Sequence, residues 1–270
     1  MEKPKQRSGL RQAAGKIYYT LFKNIYWHLP PTKFAKTLKA EFLPCEIFTH
    51  KSPLIRKLKN VDMWMQHNKV QNLKTAVRRI NGLVIKPGEV FSYWRSLGKP
   101  TIRKGYLEGM ILHNGTVKAG VGGGLCQLSN LVFWMTLHTP LTVIERWHHA
   151  YDVFPDEDRK QPFGSGATCA YPFIDLQIKN NTGQNFQLTL EVTNEFLMGK
   201  WYSDQPLSFT YEVIEKEHEI KSEWWGGYTR NNKIFRKITD STNGNLINEE
   251  FITENHAIMM YSPMIEAEKK

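Results

Sequence analysis

Apolar residues recur at helical spacing near the start of the chain, at Leu10, Ala14, Ile17, Leu21 and Ile25, with Tyr18, Phe22 and Tyr26 widening the stripe. This pattern predicts a helix over residues 9–29, ended by Pro30-Pro31. Residues 30–60, punctuated by Pro44 and Pro53, read as short helices and connectors. A second helix is expected from Asp62 to Ile80, with Val70, Leu73, Val77 and Ile80 on one face and Asn81-Gly82 as its stop. Strand signals follow. "LVI" and "VFSYW" flank a turn at Lys86-Pro87-Gly88-Glu89, and "LEGMILH" and "TVKAG" flank Asn114-Gly115 as a hairpin. Next come a helix from Cys126 to Leu137 and strands at "LTVIER" and "ATCAYPFIDLQIK", the last two separated by a polar loop over 150–166. From Phe186 onward "FQLTLEV", "LSFTYEVI" and "NKIFRKITD" read as an antiparallel sheet, with Asn243-Gly244 as a further hairpin turn. The expected class is α+β: a helical N-terminal part, then a mostly antiparallel, β-rich body on which the Cys-bearing helix packs. The expected division is a helical arm over 1–60 and an α+β domain over 61–270.

Charge sharpens that division. Residues 1–60 hold 13 Lys or Arg against three acidic residues, and the other 210 residues hold 23 of each sign. The net charge of +10 therefore belongs to the arm. The stripe of residues 9–29 has two readings, an interfacial helix drawn to an anionic membrane surface or a helix packed on the protein's own core. No nucleic acid is expected, because no DNA- or RNA-binding module accompanies the basic residues. No run approaches 18 apolar residues, so no membrane span is expected. The N-terminus also lacks the apolar stretch of a secretory signal. Cys45, Cys126 and Cys169 form no CxxC pair, which suits reduced thiols. The expected location is cytoplasmic, peripheral at the inner membrane surface.

Candidate chemistry concentrates at "GVGGGLCQLSN", residues 120–130. A thiol at the first turn of a helix meets unpaired N–H groups and the positive end of the helix dipole, which favour thiolate. Gly122, Gly123 and Gly124 would let a substrate approach the backbone, whose N–H groups would stabilise an oxyanion. A base is needed, and His148 and His149 lie on the next strand's end; Asp175 or Asp152 would orient it. The competing reading is a packed cysteine beside a glycine-rich ligand cradle. The loop lacks the Lys-Ser/Thr of a phosphate loop and the spacing of a dinucleotide fingerprint. Cys126, His149 and Cys169 include no close-spaced ligand pair, so neither metal nor cofactor is expected. Trp224 and Trp225 form either a stacking platform or a plug between sheet and loop.

"NGLVIKPGEVFSYW", "GGGLCQLSN", "ERWHHAYDVFP", "PFGSGAT" and "IDLQIKN" occur together and in order, and in this the chain resembles the VanW family over roughly residues 45–200. The resemblance implies an association with glycopeptide resistance and the cell envelope, without a reaction. It places the family's glycine-cysteine signature on Gly122, Gly123, Gly124, Cys126 and Gln127, its Glu-Arg…His element on Glu145, Arg146 and His149, and its Asp-Leu…Asn on Asp175, Leu176 and Asn180. The chain departs from the pattern at Ala150, where Ser is common, and at Gly166, where Asp is common. Read from the residues themselves, the sharp function is a cysteine-dependent hydrolase or acyl transferase for a peptide or amide. In it Cys126 is nucleophile, His149 base and Asp175 its orienter. The backbone near Gly124 to Gln127 would form the oxyanion site, Gly122, Gly123, Gly124 and Gln127 would bind substrate, and Arg146 would hold a carboxylate such as that of a peptidoglycan precursor. The alternative is a non-catalytic binding or accessory module.

Overall fold

The computed structural model describes residues 8–28, 31–56, 62–113, 115–154 and 161–263. In chain order the helices are α1 (Gly9–His28), α2 (Met63–Ile80), α3 (Tyr93–Leu97) and α4 (Cys126–Leu137). The strands of the first half are β1 (Thr37–Leu38), β2 (Cys45–Pro53), β3 (Leu83–Ile85), β4 (Val90–Ser92), β5 (Glu108–His113), β6 (Thr116–Val121) and β7 (Thr142–Glu145). Those of the second half are β8 (Tyr151–Asp152), β9 (Gln177–Lys179), β10 (Phe186–Val192), β11 (Phe196–Ser203), β12 (Phe209–Glu223), β13 (Gly227–Asp240) and β14 (Leu246–Met259). The architecture is α+β, as the pattern predicts.

The main sheet is antiparallel in the order β1-β3-β10-β11-β2. Along β11 every second residue is buried, at Leu197, Gly199, Trp201 and Ser203, which is the period of a strand with one face in a core. α4 seats on that face. A Cβ at Gly199 would lie 2.6 Å from Met135 Cε, so a larger residue there would push the methionine tip aside. α2 presents Leu73, Ala76 and Ile80 to the same core, which continues through Phe91, Leu176, Ile178 and Leu188. Each such fully buried large side chain stabilises the fold by about 1.5–3 kcal/mol. A three-stranded sheet, β4-β9-β7, and the β5-β6 hairpin complete this part. The hairpin has the expected strands, and the predicted turn residue Asn114 lies outside the described residues.

The remaining sheet, β12-β13-β14-β8, has long strands, with β8 parallel to β14. Its inward face is unusual: β13 buries Arg230, Asn232, Ile234 and Arg236. Arg236 pairs with Glu250 at 2.6 Å and donates to the Thr139 carbonyl at the end of α4. Buried charge is tolerated here because each guanidinium is paired or hydrogen-bonded.

Four expectations need correction. Residues 30–60 contain a nine-residue strand, β2, paired along its length with β11. Its prolines do not prevent this: Pro53 is the last residue of a strand at the sheet's edge, where no ladder N–H is needed. Of "VFSYW" only the first three residues are strand; Ser92 caps α3, its hydroxyl accepting the Arg95 N–H. Of "ATCAYPFIDLQIK" only Gln177–Lys179 is strand. Ala170 and Ile174 instead exchange backbone hydrogen bonds across a tight loop. Trp224 plugs no gap: it is 89% exposed, beside the turn between β12 and β13.

Candidate functional site

The glycine run links β6 to α4, and its geometry answers to the protein itself. The N–H groups of Gly122, Gly123 and Gly124 donate to the carbonyls of Leu107, Gly120 and Met110. A Cβ on Gly123 would stand 2.1 Å from the Gly109 carbonyl carbon, and one on Gly124 would stand 2.1 Å from Lys69 Cγ. Buried Asn72 staples α2 to this crossing, donating to the Leu107 and Gly123 carbonyls at 3.0 and 2.9 Å. Close packing of β5, α2 and the loop therefore accounts for the glycines, without a ligand. Downstream, the N–H groups of Leu125 and Cys126 reach no carbonyl among the described residues, and the Cys126 N–H lies against its own sulfur. Helix starts leave such donors without a carbonyl partner.

Cys126 opens α4, partly buried, with its Sγ 3.7 Å from the Cys169 carbonyl oxygen. Burial pushes its thiol up, and the backbone hydrogen bonds that oppose this do not overcome it. Cys169 is buried and pushed up further, by burial and then by the Cys126 sulfur. Tyr93 shares this pocket: its hydroxyl donates to the Leu125 carbonyl at 2.9 Å and is held well above the usual range by burial and the two sulfurs.

The other proposed triad members are not joined to Cys126. His149 is half-buried and lowered by burial, and among the described residues no hydrogen bond links it to Cys126 or Asp175. Asp175 is fully buried and committed elsewhere. Its carboxylate accepts from the Ser92 hydroxyl at 2.5 Å, from the backbone N–H of Trp94 at 2.9 Å and of Leu176 at 3.0 Å, and from the Gln177 amide at 3.3 Å. Lys23 of α1 stands 3.6 Å away, and 2.5 Å from Glu145. Burial raises Asp175 in spite of that cation. The group ties β4 and α3 to β9.

Gln127 is likewise turned inward. Its amide nitrogen donates to Ser52 Oγ and to the Pro53 carbonyl, which can only accept and so fixes the amide's orientation. Its oxygen is buried without a partner among the described residues. Lys69 is a group that sequence reasoning missed. It is 6% exposed, donates to Gln66 Oε1 at 2.7 Å, and has no carboxylate partner among the described residues. Burial, then the charge of Arg56, lowers its amine to about 8. The signal was available: Gln66, Lys69, Leu73, Ala76 and Ile80 follow helical spacing on α2's buried face.

With this geometry in view, the chain can be set beside known proteins. Residues 68–202 match the family described as VanW like protein. Over 228 residues, 84% of this chain and 82% of the relative, it is 33% identical to the Vancomycin B-type resistance protein VanW of Enterococcus faecalis (strain ATCC 700802 / V583). The chain belongs to the VanW family. It is also 30% identical over 113 residues, 42% of this chain and 36% of the other, to the Uncharacterized protein YoaR of Bacillus subtilis (strain 168). No solved structure matches.

The VanW match begins inside α2 and ends inside β11, yet its polar residues are completed from outside it. Asp175 meets Lys23 from α1, and Gln127 meets Ser52 and Pro53 from β2. Arg146 meets Thr253 and Asn255 from β14. Arg146 is therefore engaged within the protein: its Nε donates to the Gly166 carbonyl at 2.9 Å and a terminal nitrogen to the Gly164 carbonyl. Its guanidinium lies 5.1 Å from the centre of the Phe133 ring. Among the described residues no carboxylate pairs with it, and burial lowers it to about 10. It clamps the 164–166 loop and β14 onto α4. Gly166 is closely packed: a Cβ there would sit 2.7 Å from Asn130 Oδ1, which accepts the Ala167 N–H.

Proposed function

We propose that this VanW-family protein serves vancomycin resistance as a non-catalytic binding or accessory module for a cell-envelope peptide, with the start of α4 facing the ligand. The observation that carries this reading is the state of Cys126. Its thiol is raised by burial and turned to the Cys169 carbonyl, while Asp175 is spent on Ser92, Trp94 and Lys23. A nucleophile needs the opposite: a lowered thiol and a base in reach. The N–H groups of Leu125 and Cys126, which no backbone carbonyl occupies, with the Lys69 side chain packed against Gly124, suit an acceptor-rich ligand such as the carboxylate of a peptidoglycan precursor peptide.

A second reading, a thiol hydrolase or acyl transferase using Cys126 and His149, is favoured by those same two N–H groups, which have the character of an oxyanion site. One experiment separates them. A synthetic muramyl pentapeptide is titrated into the full chain by calorimetry and incubated with it for product analysis. The binding reading expects saturable binding that Lys69→Met weakens about tenfold and Cys126→Ala leaves unchanged, with no product formed. Peptide turnover abolished by Cys126→Ala would replace it with the hydrolase, and absence of both binding and turnover would sink both.

A further inference from the structure

α1 is mounted with its polar side toward the protein and its apolar side toward solvent. On a helical wheel Tyr19, Lys23 and Trp27 share one side, and all three are engaged by the body. Lys23 bonds Glu145 and Asp175, the Trp27 carbonyl accepts the Arg95 Nε–H at 3.2 Å, and the Tyr19 ring lies 5.8 Å from that of Phe173. Of the helix's residues only Lys23 and Trp27 are buried. The opposite side carries Leu10, Ile17, Tyr18, Leu21, Phe22 and Ile25, all more than half exposed, with Leu10 at 87%. Rolling the helix to bury this stripe would pull Lys23 out of its ion pairs and strand Asp175 without a cation, a change costing several kcal/mol. The outward face is therefore fixed by the fold.

We propose that this face docks on an anionic lipid surface, the helix lying in the plane of the interface. Charge selects the occupant. Residues 3–40 contain nine Lys or Arg and no Asp or Glu, whereas the chain beyond residue 60 balances. A second copy docking through the same face would bring two such segments together with no acid in either to offset them. A surface that is apolar beneath and negative at its rim meets both needs, burying the stripe and neutralising the arm. Aromatic residues on the exposed stripe, Tyr18 and Phe22, suit the headgroup level, whereas Tyr26 turns inward to Gln177 and Phe34. No described helix is long and apolar enough to cross a membrane, which agrees with a helix that lies on it.

The test is co-sedimentation of the full chain with vesicles of phosphatidylglycerol and phosphatidylcholine, against pure phosphatidylcholine, at low and high salt. Binding is expected to be at least tenfold stronger to the anionic vesicles and to weaken with salt. The double variant Ile17→Glu/Phe22→Glu should lose it while melting at the wild-type temperature, since both side chains are exposed. Equal binding to both vesicle types, no binding by the wild type, or wild-type binding by the double variant would overturn the proposal. So would a dimer in sedimentation without vesicles that the double variant dissolves, which would make a second copy the occupant.

Discussion

α1 and α4 are both rich in large apolar side chains, and the protein treats them oppositely. α4 buries Leu128, Leu131, Val132, Phe133, Met135 and Leu137, apolar nearly all the way round between the main sheet and β7. α1 buries a lysine and a tryptophan and leaves its stripe in water. Periodicity states that a face needs a cover; it does not state which cover. What decided between them is the polar residue on each helix. α4's polar side chains are all neutral and need no counter-charge: Thr136 bonds the Val132 carbonyl, Ser129 the Ala167 carbonyl, Gln127 Ser52 and Pro53, and Asn130 accepts the Ala167 N–H. α1 carries Lys23, whose ammonium the body requires opposite two carboxylates.

The contrast can be strained most by Phe133→Ala in α4. This 1%-exposed ring should take about 4 kcal/mol from the unfolding free energy when removed, read by urea denaturation, because it leaves a cavity under Arg146. A loss below about 1 kcal/mol would mean that α4 is no more embedded than α1. Lys23→Ala comes next, at about 3 kcal/mol, since it leaves Asp175 and Glu145 without their cation. That loss should shrink in acid, where the raised Asp175 carboxyl protonates and no longer needs a cation. Near-zero cost at neutral pH would show that α1 is not held by its lysine.

The smallest effect concerns the approach to α4. Lys69 is lowered to about 8 from 10.5, so the folded state prefers it neutral. The stability tied to that preference is complete above 10.5 and is lost as pH falls through about 8. Lys69→Met should therefore gain on the wild type by on the order of 2 kcal/mol at pH 7, the gain fading toward pH 10 in paired denaturation curves. A pH-independent difference would place the ammonium in contact with water.

Much of the fold was legible because its signals are local. α2, α4 and the β5-β6 hairpin follow from periodicity and turn residues within a dozen or so positions. β2 was missed because its prolines read as punctuation, although Pro53 only closes an edge strand. The segment before β9 was misread because its apolar run resembles a strand, while Asp175 is drawn into the capping network of Ser92 and Trp94. At the candidate site, the place of Cys126 at the head of α4 was legible and its surroundings were not. Asp175 and Lys23, Gln127 and Ser52, and Arg146 and Asn255 meet at sequence separations of 75 or more, which no spacing rule reaches. Lys69 was hidden differently: a lysine on a helix is expected to reach water, and this one lies under Gly124.

The Arg146 clamp has a consequence for the protein in acid. A buried guanidinium is usually balanced by a carboxylate, and such a joint fails when the carboxylate takes up a proton. Arg146 is balanced instead by the carbonyls of Gly164 and Gly166, the Asn255 amide oxygen and the Thr253 hydroxyl, none of which titrates. The seam it closes between α4 and β14 is thus built from fixed dipoles, and acid removes none of its acceptors.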